Sequence, residues 1–205
     1  MANTQLAFRR LASHELNRYA EHLTRLGPDD RYLRFGYRIS DEQIARYVET
    51  QFRTKSTVIA HFDAELKVVA AIEIVYSESK FHLNNEMAEI GLSVEEAHRG
   101  QGLGTLLFKR ALILARNRGV KTMVSHCLSQ NRFMMRIARD NGMTIHSESG
   151  DSTGTMELTP RTPDSILKEC IGEGIAMWDY GLLSIPAMLN YGDFASHPNK
   201  PGDPK

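Results

Sequence analysis

The sequence is short of the features that mark a disulfide scaffold, a metal centre, a membrane span or a polyanion binder. Of its 205 residues only Cys127 and Cys170 are cysteine. Two thiols are too few for a disulfide framework, and their spacing is not that of a metal-binding pair. Eight histidines are scattered without an HExxH pattern, so no structural metal is expected. Charge of one sign is also missing: 25 Lys and Arg balance 25 Asp and Glu. That leaves no broad basic field to hold nucleic acid or an anionic membrane surface. Long apolar runs are absent, since VVAAI at Val68–Ile72 is far too short to cross a bilayer. The opening MANTQLAFRR lacks the apolar core of a signal peptide. The expectation is a soluble cytoplasmic protein that binds neither nucleic acid nor membrane.

What is present is enough apolar residue, 41% of the chain, to build a real core. LAFRRL alternates weakly and reads as an edge strand. HELNRYAEHLTRL carries Leu16, Tyr19, Leu23 and Leu26 at helical spacing, and Gly27-Pro28 ends that helix. SDEQIARYVETQ reads as a second helix, with Ser40 as N-cap and Ile44, Tyr47 and Val48 as its stripe. From about Ser56 the period changes to that of strands: STVIAHF, LKVVAAIEIVY and MAEIGLSV. A helix is expected over Thr105–Arg118, closed by Gly119, then a strand VKTMVSHCL and a helix NRFMMRIARDN closed by Gly142. MTIHSES and TGTMELTP finish as a strand pair. This order gives an α/β layered domain over residues 1–160. Residues 161–205 form an extension in which the period dissolves, with a flexible tail from about 195. Trp178, the one tryptophan, lies there and reads as an anchor to the domain or to a partner subunit. The extension is a candidate dimerisation element, which would make a homodimer.

Between MAEIGLSV and the Thr105 helix lies HRGQGLGT, with Gly100, Gly102 and Gly104 in five residues. A loop between a strand and a helix N-terminus offers unpaired N–H groups and the positive end of the helix dipole, which suits phosphate. The dinucleotide fingerprint GxGxxG does not fit, because the third glycine falls too early. The GxxxxGK[ST] spacing of a Walker loop is not met, since no Lys-Ser or Lys-Thr pair directly follows these glycines. Glycine spacing alone leaves an anion-binding loop and a tight turn equally open.

The wider segment, from Ala88 to Met143, resembles the core of the GNAT superfamily of acetyl-CoA-dependent N-acetyltransferases. The family's R/Q-x-x-G-x-G/A pattern is met by Arg99, Gly102 and Gly104. Ser93-Val94 ends the preceding strand, Asn131 follows the next, and Gly142-Met143 stands where the family has Gly-Phe. Ala88-Glu89, Asn131-x-x-Met134 and RYLRF at Arg31–Phe35 resemble in particular the catalytic domains of bacterial protein-lysine acetyltransferases. The resemblance covers residues 1–160. It implies a mixed, mostly antiparallel twisted sheet flanked by helices and splayed between its fourth and fifth strands. Acetyl-CoA would lie in that V as co-substrate, with no metal. Its pantetheine arm would pair with the backbone of Leu92, Ser93 and Val94, like an added strand. Its pyrophosphate would sit on amides of Arg99, Gly100, Gln101, Gly102, Leu103, Gly104 and Thr105, and Asn131 would face the arm from the other strand.

The implied reaction moves an acetyl group to a primary amine, with a protein lysine as the leading acceptor. Such an amine has a pKa near 10.4, so roughly one molecule in a few thousand is neutral at pH 7, and the site needs a proton acceptor. Glu89, on the strand leading to the loop, is the candidate base, and Glu73 in VAAIEIVY is the reserve. A strand amide near Val94 could serve the oxyanion. The acid is where this chain departs from the family: the tyrosine many members carry seven residues after the asparagine is Ala138 here. His126, Cys127 and Ser129 lie nearby and read as ordinary strand residues. Tyr32 and Phe35 could form an aromatic wall for the acceptor or belong to the core. Asp29, Asp30, Asp41 and Glu42 could favour a cationic acceptor or simply be helix-start charges. Two other functions stay open: acetylation of a small amine (polyamine, amino acid or drug), and a non-catalytic acyl-CoA-binding regulatory module.

Overall fold

The fold is seen in a computed structural model, which describes residues 8–53, 56–77, 87–167, 169–171 and 174. Trp178 and most of the polar segment from Ser77 to Glu86 lie outside the described residues. The strands are β1 (Phe8–Arg10), β2 (Ser56–Phe62), β3 (Val68–Tyr76), β4 (Met87–Val94), β5 (Thr122–Leu128), β6 (Thr144–Glu148) and β7 (Asp151–Glu157). They form one sheet in the order β1-β2-β3-β4-β5-β7-β6. Every neighbouring pair is antiparallel except β4 and β5, which run parallel. The helices are α1 (Leu16–Arg25), α2 (Pro28–Phe35), α3 (Asp41–Arg53), α4 (Leu103–Asn117) and α5 (Arg132–Asp140).

Strand alternation divides the core between the two faces. Ala70, Ile72 and Ile74 of β3 and Ala88, Ile90 and Val94 of β4 join Leu103, Leu107, Phe108 and Ala111 of α4 and Met134 and Ile137 of α5. Val58, Ala60, Val68 and Ala71 face the other way, onto Tyr19, Leu23 and Leu26 of α1 and Ile44 and Val48 of α3. The stripes expected for α1 and α3 face this core, with Leu16 and Tyr47 only partly buried, while Leu106 on the stripe expected for α4 is exposed. Ser40 caps α3 reciprocally with Gln43: the Gln43 amide donates to Ser40 Oγ at 3.3 Å, and the Ser40 amide to Gln43 Oε1 at 2.8 Å.

α2 corrects the sequence reading, which places Arg31–Phe35 in a connection. Pro28 stops α1 and also sits at the first position of α2, where its missing N–H is an orphan in any case. Gly36, at φ 79°, closes α2 in the left-handed region. Arg31 then braces the three helices, donating to the carbonyls of Leu26 and Thr24 and pairing with Asp41 at 2.6 Å. Residues past 160 touch the domain: Asn117 of α4 donates to the Ser165 carbonyl and to Glu169, and accepts from Ser165 Oγ at 2.6 Å.

One polar link ties α1 to the end of β4. His22 is fully buried, in the same stripe as Tyr19 and Leu23. Its Nε2 lies 2.8 Å from Ser93 Oγ and its Nδ1 3.0 Å from Glu95, which Arg25 also binds. Burial pulls the His22 pKa down against the opposing pull of Glu95. A histidine whose pKa is lower folded than unfolded stabilises the fold fully above its unfolded value, near 6.5. That contribution fades as the pH falls from 6.5 toward the lowered folded value. The thermal midpoint of the wild type should therefore drop between pH 7.5 and pH 5.5, and His22→Gln should flatten that slope. An equally steep slope in the variant would mean that another group carries it.

Candidate active site

β4 and β5 pair only where Met87–Glu89 meets Thr122–Val124. Beyond that they part. Ile90–Val94 keep β3 on one side, and Ser125–Leu128 turn to β7. The gap opens into a cavity of about 600 Å³, bounded by Glu89–Leu92 of β4, Ser125–Leu128 of β5, Arg34 and Phe35 of α2, Tyr47 of α3 and Asn131 and Met134 of α5. A second hollow of about 310 Å³ lies at the glycine loop, between Gly100, Gly102 and Gly104 on one side and Phe133, Arg136, Ile137 and Asp140 of α5 on the other. The splay expected between the fourth and fifth strands is thus present, and its inner edge on β4 is the stretch containing Leu92, Ser93 and Val94.

The loop begins with a 3-10 turn at Glu96–His98. Gly100 (φ 76°) and Gly102 (φ 78°) are both in the left-handed region, where a side chain would be strained. α4 starts at Leu103, two residues earlier than the periodicity predicts, because the left-handed Gly102 already accepts the first helical hydrogen bond from Leu106. The amides of Leu103, Gly104 and Thr105 therefore form the orphan first turn of a 15-residue helix. Gly104 is buried against α5: a Cβ there would lie 2.7 Å from Ile137 Cδ1. Gln101 is exposed. The Arg99 side chain turns away from the loop, with Nη2 2.5 Å from Asp30 and Nε donating to the Val94 carbonyl at 3.3 Å. Arg136, with His98 beside it, lines the second hollow and is a cationic candidate for phosphate. Sequence reading missed Arg136, because its only signal is a position on α5 that packing alone brings to the loop.

The two carboxylates meet different fates. Glu89 is exposed on the rim of the cavity. Glu73 is fully buried. Its Oε2 accepts from Tyr19 at 3.2 Å, Tyr47 at 2.5 Å and Arg34 Nη2 at 3.0 Å. Burial and the Glu73 charge push the Tyr19 hydroxyl well up, and burial likewise pushes up Tyr47, so both remain donors. Burial by itself would lower the Arg34 pKa, but Tyr19, Tyr47 and Glu73 outweigh it and hold the guanidinium charged. Arg34 lies flat across β4 at Gly91, where any Cβ would overlap its guanidinium. Glu73 Oε1 and Arg34 Nε are buried without hydrogen-bond partners.

The remaining expectations sort by what the side chains touch. Asn131 caps α5, its Oδ1 accepting from the Met134 amide at 3.0 Å, and its Nδ2 reaches the Leu33 carbonyl at 3.3 Å. Ala138 is buried in the core cluster that α4 and α5 share. His126 is exposed and pairs with Thr153 at 3.1 Å, while Ser129 Oγ meets Ser152 Oγ at 2.9 Å. Cys127 and Cys170 are free thiols. Phe35 lines the cavity edge-on to Tyr47, ring centroids 5.3 Å apart, with Tyr37 beside them, whereas Tyr32 is an exposed surface ring. Asp30 and Asp41 are spent on Arg99 and Arg31, and Glu42 accepts from Ser40, so these acids are local partners of the fold. Among the described residues no group of three His, Cys, Asp or Glu could hold a metal, and no helix is long and apolar enough to cross a membrane.

Comparison with known proteins agrees with this geometry. A family model for the acetyltransferase (GNAT) family matches residues 13–143. A Bacillus subtilis protein described as a candidate phosphinothricin acetyltransferase is 29% identical over 80 residues, 39% of this chain and 47% of that protein. The match thus spans about half of that relative's length. Among solved structures, the GNAT domain of S. lividans PAT superposes with a TM-score of 0.61 at 21% identity, covering 74% of this chain and 89% of that one. The yncA acetyltransferase candidate of Salmonella typhimurium, solved with acetyl-CoA, gives 0.58 at 16% identity over 78% and 97%. The strand order, the splayed parallel pair and the family match together place this chain in the acetyltransferase (GNAT) family.

Proposed function

We propose that the protein transfers the acetyl group of acetyl-CoA to a primary amine, with a protein lysine side chain as the acceptor class. The carrying observation is the gap between β4 and β5, lined by Arg34, Tyr47 and Glu89, with a second hollow at the glycine loop. The residues fit the coenzyme. The free edge of Leu92–Val94 suits an amide-bearing arm, and two left-handed glycines bring backbone amides of Arg99–Thr105 within reach of a pyrophosphate. Acetyl-CoA supplies an activated acyl group. Glu89, on the rim, takes the proton of the incoming ammonium, directly or through water. Phe35, Tyr37 and Tyr47 bound an aromatic passage suited to an aliphatic stem, and exposed Asp151 on the opposite wall favours a cation. A β4 amide near Val94 stabilises the oxyanion.

A second reading, a small amine that carries an acid group, is favoured by Arg34, whose guanidinium forms part of the cavity wall. The chain's relative named for phosphinothricin points the same way. Two measurements test the proposal. Acetyl-CoA at about 100 times its Kd should stabilise the fold by ~2.7 kcal/mol, a rise of roughly 5–10 °C in thermal midpoint. Thiol release should then be followed with lysine peptides, polyamines and acidic amino acids, phosphinothricin included. Turnover confined to lysine peptides supports the first reading, and turnover confined to acidic small amines supports the second. Coenzyme binding without any turnover would make this an acyl-CoA-binding regulatory module.

A further inference from the structure

Ser125 is the first residue of β5 past the last pair with β4: Val124 still faces Glu89, and Ser125 has no β4 partner. It therefore stands at the vertex of the gap. Alternation sets it on the same face of the sheet as Met123 and Cys127, which belong to the α4 and α5 side of the core. Its β7 partner is Gly154, whose missing side chain would meet Ile145 and Met143 on that face. Ser125 is 2% exposed, yet it lines the cavity, and its Oγ has no hydrogen-bond partner. The neighbouring hydroxyls of Ser129, Ser147 and Ser152 are all paired with one another. A buried hydroxyl left without a partner works against folding, since water would satisfy it in the unfolded chain. The arrangement makes physical sense if the partner arrives with the substrate.

We propose that Ser125 Oγ donates a hydrogen bond to the coenzyme sulfur and strengthens it as that sulfur departs. This rests on the acetyl-transfer reading above. In that reaction the amine nitrogen forms the new C–N bond, the C–S bond breaks, and its electron pair stays on sulfur. Glu89 takes the ammonium proton before attack, the second nitrogen proton leaves to solvent as the amide forms, and the released thiolate takes a proton from solvent. Ser125 keeps its own proton throughout: a hydroxyl is a far weaker acid than a thiol with a pKa near 8.5. Its role is to hold the developing negative charge, the role left vacant at Ala138. The face of the sheet agrees, because Ala138 and Ser125 look onto the same side. The arginine and carboxylates of the cavity, Arg34, Glu73, Glu89 and Asp151, belong to α2, β3, β4 and β7 and come from the other face.

The test is Ser125→Ala in the full chain, read three ways. The thermal midpoint without coenzyme should change little, because no described protein group pairs with the hydroxyl in the free protein. The thiol of bound CoA, titrated by its ultraviolet thiolate absorbance against a desulfo-CoA control, should ionise about one to two pH units higher in the variant than in the wild type. That is the size expected of a hydrogen bond to a charged group. With an acetylated amine in hand, kcat should fall by about 10–100-fold for the same reason. An unchanged thiol pKa, or an unchanged kcat, overturns the proposal. The thiol titration requires no acceptor. If no amine is acetylated but the bound thiol responds to Ser125, the transfer reading fails and the sulfur contact stands. If the wild type binds no CoA, both fall.

Discussion

Replacing Glu89 with glutamine is expected to lower kcat by about 10²–10⁴-fold, the usual contribution of a positioned base, and to leave the affinity for acetyl-CoA unchanged. Glu89 is exposed on the cavity rim, away from the loop amides proposed to hold the coenzyme. Glutamine keeps the shape and the hydrogen-bonding reach of the side chain, but accepts no proton near neutral pH. The amine must lose a proton to attack, so the loss should fall on turnover. Coenzyme titrations and steady-state kinetics separate the two effects. Full turnover in Glu89→Gln would take the base role away from this residue. Weakened coenzyme binding with kcat intact would assign Glu89 to positioning instead. Glu73 is a poor substitute, since one of its oxygens already accepts from Tyr19, Tyr47 and Arg34.

Arg34→Met should be the most damaging substitution for the fold itself. Arg34 is the cation that faces the fully buried Glu73, with Nη2 3.0 Å from the carboxylate. Removing one partner of a buried pair strands the other and costs about 3–5 kcal/mol. For a chain of this size that is a fall of roughly 6–20 °C in thermal midpoint. Adding Glu73→Gln should recover much of the loss, because the charge left behind is then gone. A double variant no more stable than Arg34→Met would mean that Arg34 acts through its packing on Gly91 and not through Glu73. The same cluster explains why β4 carries glycine at 91: a side chain there would occupy the place of the guanidinium.

Much of the fold was legible because it rests on local chemistry. Apolar alternation marks β2, β3 and β4. Helical stripes mark α1, α3 and α4, and Ser40 and Gly119 punctuate the ends of α3 and α4. α2 escaped that reading because eight residues opened by a proline carry too short a period to weigh against a stop signal. The loop HRGQGLGT was legible as an anion-binding turn, and its left-handed glycines agree. The path of the Arg99 side chain to Asp30 was not, because its partner comes from α2, some seventy positions away in the chain.

The sequence by itself determined the class of protein: an α/β sheet with a glycine loop at a helix N-terminus, a candidate carboxylate on the strand before it, and no tyrosine at Ala138. The sheet and the loop follow from periodicity, residue type and spacing along the chain, while the carboxylate and the missing tyrosine are what the family resemblance singles out. Only the tertiary structure decided which polar residues are free to act. Along the chain nothing distinguishes the fates of the polar residues His22, Glu73 and Ser125. Packing gave His22 to Ser93 and Glu95, gave Glu73 to Arg34 and two tyrosines, and left the Ser125 hydroxyl with nothing. Whether a buried polar group is satisfied depends on neighbours that other elements bring to it, and one strand alone cannot show them.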